Sequence, residues 1–147
     1  MSEIRDIARL VPQDGAMILL EAIVRHDEGS LVARATGHRD RDHPLAHAGR
    51  LPVWAGVEYA AQAMAAHFCL ASQVPGEATI GLLGGVRDVV CSTATLDDIE
   101  GSLLVAVERL SRDVAGSIYA FRLTREVDGR ELIRGRATVV QQVRGQA

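Results

Sequence analysis

The chain has 147 residues, 48% of them apolar or aromatic and 24% charged, which suits one domain with a sizeable core and excludes a disordered segment. The formal net charge of −3 argues against nucleic-acid binding through a general basic field. No run approaches the ~18 apolar residues of a membrane span, and no basic-then-apolar leader opens the chain. The expectation is a soluble, cytoplasmic protein without membrane contact, folded as a single domain over residues 1–147.

All sixteen basic residues are arginine, so Schiff-base chemistry, a Ser–Lys dyad and a Walker lysine are excluded. Cys69 and Cys91 stand far apart in apolar company and are expected as small buried hydrophobes rather than a disulfide or zinc site. Five aromatics are too few for a base-stacking platform.

In chain order, residues 2–10 predict a short amphipathic helix, broken by PQDGA at 12–16. MILLEAIV at 17–24 predicts a strand, HDEG at 26–29 a turn and SLVARAT at 30–36 the returning strand. Residues 37–52 are polar, aperiodic and punctuated by glycine and proline, a long loop of the kind that often carries function. From Pro52 to Ala71 the pattern turns helical, with Val57, Ala61, Met64 and Phe68 on one face. Seven alanines make this helix slim, and its few polar residues predict burial on most sides.

Four strands follow at 80–90, 102–110, 117–127 and 132–143. Asp128-Gly129 marks a hairpin between the last two. Tyr119, Phe121, Leu123 and Val127 are expected on a buried face, against Arg122, Thr124 and Glu126. Gly84-Gly85 predicts close approach of a strand to the helix or to a bound ligand. Helical and strand runs segregate, which gives the α+β class: a six-stranded antiparallel sheet wrapped around a long central helix, the hot-dog fold.

LVPQDGAMILLEAIV (10–24) resembles the opening of the 3-hydroxyacyl-acyl-carrier-protein dehydratases. HPLAHAGRLPVWAGVEYAAQAM (43–64) resembles their site loop and central helix, with Glu58-Tyr59-Ala60-Ala61-Gln62 on the family's Glu-Ala-Met-Ala-Gln. GLLGGVRDVV (81–90), LDD (96–98) and the final hairpin fit the remaining strands. The Leu-Pro-x-Trp step ending at Trp54 looks most like a divergent bacterial branch found with aryl polyene biosynthesis enzymes.

The resemblance implies dehydration of 3-hydroxyacyl thioesters carried on acyl carrier protein, in fatty-acid or polyene-type biosynthesis. It implies no cofactor beyond the phosphopantetheine arm that carries the substrate. It also implies a homodimer in which residues 43–52 of one subunit face Glu58 of the other. One departure stands out. The family's loop glycine is followed by histidine, whereas Gly49 is followed by Arg50, and the step from there to the helix acid is shorter.

Dehydration needs a base for the α-proton, an acid for the departing hydroxyl, and donors for the thioester oxygen. Glu58, the one acid between Asp42 and Glu77, is the candidate acid on an otherwise apolar helix; the bland alternative is an exposed or paired carboxylate at the helix start. The resemblance implies that the thioester oxygen lies near the start of the helix, at Gly56, where the helix dipole favours negative charge. Gln62, one turn on from Glu58, is expected to satisfy a buried carboxyl or backbone group. His47 is the surrogate base, against an ordinary solvent-exposed histidine.

Trp54 closes an acyl tunnel or packs in the core. Arg50, with Arg34, Arg39, Arg41 and Arg87, would meet an acidic carrier or a phosphate, unless each is simply a solvated charge. His67 reads as a core or interface histidine. His38, His43 and His47 fit no metal-ligand spacing, so no metal is expected. The alternatives to a dehydratase are a hot-dog thioesterase, in which Glu58 activates water, and a non-catalytic subunit of a dehydratase heterodimer.

Overall fold

A computed structural model describes residues 3–71 and 79–143. Strands β1 (Ala22–His26), β2 (Ser30–Ala35), β3 (Thr79–Cys91), β4 (Leu103–Arg112), β5 (Gly116–Arg125) and β6 (Glu131–Val143) form one sheet in the order β1-β2-β4-β5-β6-β3. Every neighbouring pair is antiparallel. The single long helix, α1 (Gly56–Ala71), follows a one-turn 3-10 segment at Val53–Ala55 that Pro52 caps. Among the described residues no helix is long and apolar enough to cross a membrane.

Alternation places Leu103, Val105 and Val107 of β4 and Tyr119, Phe121 and Leu123 of β5 in the core. Tyr59, Ala60, Ala63, Met64, Ala66, His67 and Phe68 of α1 are buried with them. The alanines let the curved sheet close on the helix. At its first turn a Cβ on Gly56 would meet Ile133 Cγ2 at 2.8 Å and Leu123 Cδ2 at 3.3 Å, so only glycine seats the helix start this deeply.

Several expectations change. Of the helix expected over 2–10, the described residues 3–10 hold only a 3-10 turn at Ile7–Arg9, because Ile4 is drawn out to exchange backbone hydrogen bonds with Ile23 of β1 (3.0 and 2.7 Å). A nine-residue helix is too short to resist that pairing. Met17 ends a second 3-10 turn, Gly15–Met17, and the strand predicted from residue 17 begins at Ala22. Val127 lies in the turn after β5 and is exposed, since the alternation stops with the strand at Arg125.

Cys91 is exposed at the end of β3 and Cys69 is half-buried, so neither is the fully buried hydrophobe expected. Gly84 approaches another strand instead of the helix: its Cβ would meet Val140 Cγ2 at 2.9 Å, beside a bulge between Leu83 and Gly85.

Candidate active site

Glu58 sits half-buried in the first turn of α1, where the helix dipole favours a negative charge. Its Oε1 accepts two hydrogen bonds, from Gln13 Nε2 at 2.8 Å and from Gln62 Nε2 at 3.3 Å. Gln62 is fully buried. It also donates to the Met17 carbonyl at 2.6 Å and accepts from the Leu19 N–H at 2.9 Å. It satisfies the carboxyl and the backbone together, the role expected of it, and it clamps the segment before β1 onto the helix.

The loop before α1 is built on two buried histidines. His38 is fully buried and donates from Nε2 to the Ile99 carbonyl at 2.7 Å. His43 accepts the Leu45 N–H at Nδ1 (3.0 Å), which places its proton on Nε2, directed at Tyr59 Oη 2.9 Å away. Burial holds both imidazoles below the ordinary histidine range, and burial raises the Tyr59 phenol well above its own.

The same loop turns sharply at His47–Arg50. His47 and Arg50 exchange backbone hydrogen bonds of 2.8 and 3.0 Å, with Ala48 at φ 52° and Gly49 at φ 76°. Two successive positive φ values define the tight hairpin turn that Gly49 tolerates. His47 is exposed at this turn, and Trp54, 56% exposed, stands on the 3-10 segment that follows. Trp54 is therefore outside the core of this chain. Arg50 is tied down: its Nε donates to Asp97 Oδ2 at 2.8 Å and its Nη2 to Thr95 Oγ1 at 3.2 Å. Burial pushes the Asp97 carboxyl up, but the Leu51 N–H and the Arg50 guanidinium outweigh it and hold the group below the usual carboxylate range.

Within one chain, then, Glu58 and Gln62 come together and Gly56 seats the turn beneath them. No hydrogen bond joins Glu58 to His47, Trp54 or Arg50 among the described residues. Arg34 is paired with Glu3 and Glu126, so it too is committed within the chain. His67 is buried in the core, bonded to Tyr119 and to the Asp27 carbonyl. Sequence reasoning missed Gln13 and the His43–Tyr59 pair. The only signal was the polar character of Gln13 within a run read as a helix breaker. Among the described residues no group of three or more His, Cys, Asp or Glu side chains could hold a metal ion.

With this geometry in place, the comparisons decide the family. The ApeP-like family model, described as ApeP dehydratase, matches residues 5–147. The chain belongs to the ApeP-like dehydratase family. No curated protein matches it. Among solved structures, the ApeP-like chain is similar to the dehydratase heterocomplex ApeI:P from Xenorhabdus doucetiae: TM-score 0.76, 23% identity, 92% of this chain and 90% of that one covered. It is also similar to a Pseudomonas aeruginosa thioesterase (TM-score 0.63, 20% identity, 83% and 81% covered). The E. coli PaaI protein of the phenylacetic acid degradation operon gives a TM-score of 0.60 at 11% identity, with 80% of each chain covered. The fold of this ApeP-like chain is the hot-dog fold, six antiparallel strands around one central helix.

Proposed function

We propose that this chain dehydrates 3-hydroxyacyl thioesters presented on acyl carrier protein, in a polyene-type or fatty-acid biosynthesis, with Glu58 as its proton-transfer group. A base takes the α-proton, the Cα–Cβ double bond forms, and the Cβ–O bond breaks. The hydroxyl leaves as water with a proton from Glu58. The start of α1 near Gly56 favours the negative charge that develops on the thioester oxygen. The observation that carries this reading is the Glu58 carboxyl, half-buried on an otherwise apolar helix turn and held by two amide donors, in a chain of a dehydratase family.

The base comes from across a subunit boundary. Both ring nitrogens of His43 are engaged within the chain, while His47 is exposed at its turn and free to face the helix of a partner subunit. Strand β3 ends the sheet and presents Leu83, Val86 and Val90 exposed along it, a surface suited to pairing with a second subunit. The similar Xenorhabdus doucetiae protein is described as a heterocomplex, which favours a second dehydratase-like chain as the partner over a second copy of this one. In such an assembly Trp54 would wall the acyl tunnel.

Incubation with crotonyl- and 3-hydroxybutyryl-loaded carrier protein tests the reading. Hydration–dehydration exchange is the expected result, alone or on adding a partner subunit. Release of free thiol without exchange would instead establish the thioesterase reading, which the thioesterases of the same fold favour.

A further inference from the structure

Two glutamine amides meet one oxygen of Glu58, and they are not equivalent. Gln62 is satisfied at both ends, by Glu58 and the Met17 carbonyl at Nε2 and by the Leu19 N–H at Oε1. Gln13 is satisfied at one. Its Nε2 donates to Glu58, while its Oε1 is buried with no hydrogen-bond partner among the described residues. A buried acceptor left without a donor is destabilising. Turning the amide over would set Gln13 Oε1 against Glu58 Oε1, two acceptors face to face. The carboxylate therefore dictates the orientation of this amide, at the expense of its other end.

The backbone delivers Gln13 to that place. It precedes the Gly15–Met17 turn, and Gln62 pins this turn to α1 through Met17 and Leu19. Gln62 holds the segment, and the segment holds Gln13 against the acid.

We propose that Gln13 is a positioning residue for Glu58, a role that rests on reading Glu58 as the proton-transfer group. With two N–H donors on Oε1, the charge of the ionised carboxylate is held there, and Oε2 is the oxygen that carries the proton. In the dehydration step that proton passes from Oε2 to the departing 3-hydroxyl oxygen, which takes the electrons of the Cβ–O bond and leaves as water. The new charge settles under the two amides.

The test compares wild type, Gln13→Leu and Gln62→Leu. Gln13→Leu should leave the denaturation midpoint unchanged or higher, because the orphaned acceptor is gone. Its kcat should fall by up to about 100-fold, as for other misplaced reacting groups, with KM nearly constant. Gln62→Leu should lower the denaturation midpoint. The carbon-13 chemical shifts of labelled glutamate carboxyls at fixed pH, with the Glu58 signal identified by its loss in Glu58→Gln, give a readout independent of turnover. In Gln13→Leu the Glu58 carboxyl signal should move from its wild-type position, since its Oε1 has lost a donor. Gln13→Asn, which withdraws the amide by one methylene, should move it as well.

An unmoved Glu58 signal overturns the proposal, and so does a loss of rate that merely follows a loss of stability. A moved Glu58 signal in a protein inert toward 3-hydroxyacyl substrates both alone and with a partner subunit would overturn the dehydratase reading and still support the hold of Gln13 on Glu58.

Discussion

Two histidine–tyrosine pairs lie against the same helix, and they are wired in opposite senses. His67 donates from Nε2 to the Asp27 carbonyl (3.0 Å), so its Nδ1 accepts the Tyr119 hydroxyl proton at 2.7 Å. Every polar atom of that pair is used, and burial pushes the Tyr119 phenol up to about 12. His43 instead accepts the Leu45 N–H, so its Nε2 proton goes to the Tyr59 oxygen and the Tyr59 O–H has no acceptor among the described residues. The closed pair fastens the β1–β2 turn to the core. The open pair stands next in sequence to Glu58, in a region that also leaves Gln13 Oε1 without a donor. The closed pair is spent on structure, whereas the open pair and the unpartnered Gln13 oxygen flank the held carboxylate.

The sharpest way to break this contrast is at the carboxylate. Glu58→Gln keeps shape and hydrogen bonding but cannot pass a proton, and should cost about 10²–10⁴ in dehydration rate with the fold intact. Wild-type turnover by folded Glu58→Gln protein would place the site elsewhere. Next comes the closed pair. His67→Leu strands the Tyr119 hydroxyl and the Asp27 carbonyl and should cost about 2–3 kcal/mol in urea unfolding, with activity per folded molecule retained.

Acid should weaken the fold through both pairs and through His38. Burial lowers the folded values of His38, His43 and His67 below the ordinary 6.5. Their contribution is therefore complete above about pH 6.5 and is lost as pH falls from there through the lowered folded values, because the unfolded chain takes up protons first. Urea midpoints measured between pH 7.5 and 5 should fall, and the fall should be shallower in His67→Leu. The smallest effect belongs to the exposed turn: His47→Ala should change stability by less than about 0.5 kcal/mol. Its effect on rate, read with the partner subunit present, reports whether His47 serves the site across the boundary.

The sequence carried the fold where local signals were strong. Pro52, the alanine-rich run and the one-face periodicity announced α1, and Asp128-Gly129 announced the β5–β6 turn, where Gly129 takes φ 72°. It failed where long-range pairing decides. Ile4 pairs with Ile23 and draws out residues that alone would favour a helix. In the site, Glu58 and Gln62 could be paired on paper because one helical turn separates them. Gln13 lies 45 residues from Glu58 and His43 lies 16 from Tyr59, contacts that no periodicity reports.

The strand order has a consequence for how the chain is made. Strand β3 finds its one neighbour in the last strand, from Thr79 opposite Val143 to Cys91 opposite Ile133. As the polypeptide leaves the ribosome, β1, β2, the site loop and α1 are complete while β4, β5 and β6 are still being added. The most apolar helix in the protein thus emerges well before the sheet that will cover it. Contacts of such long sequence separation form slowly and leave apolar surface open in the meantime. The carboxylate site is assembled from residues 13–62, but the helix start at Gly56 acquires its neighbours Leu123 and Ile133 only once β5 and β6 have been added.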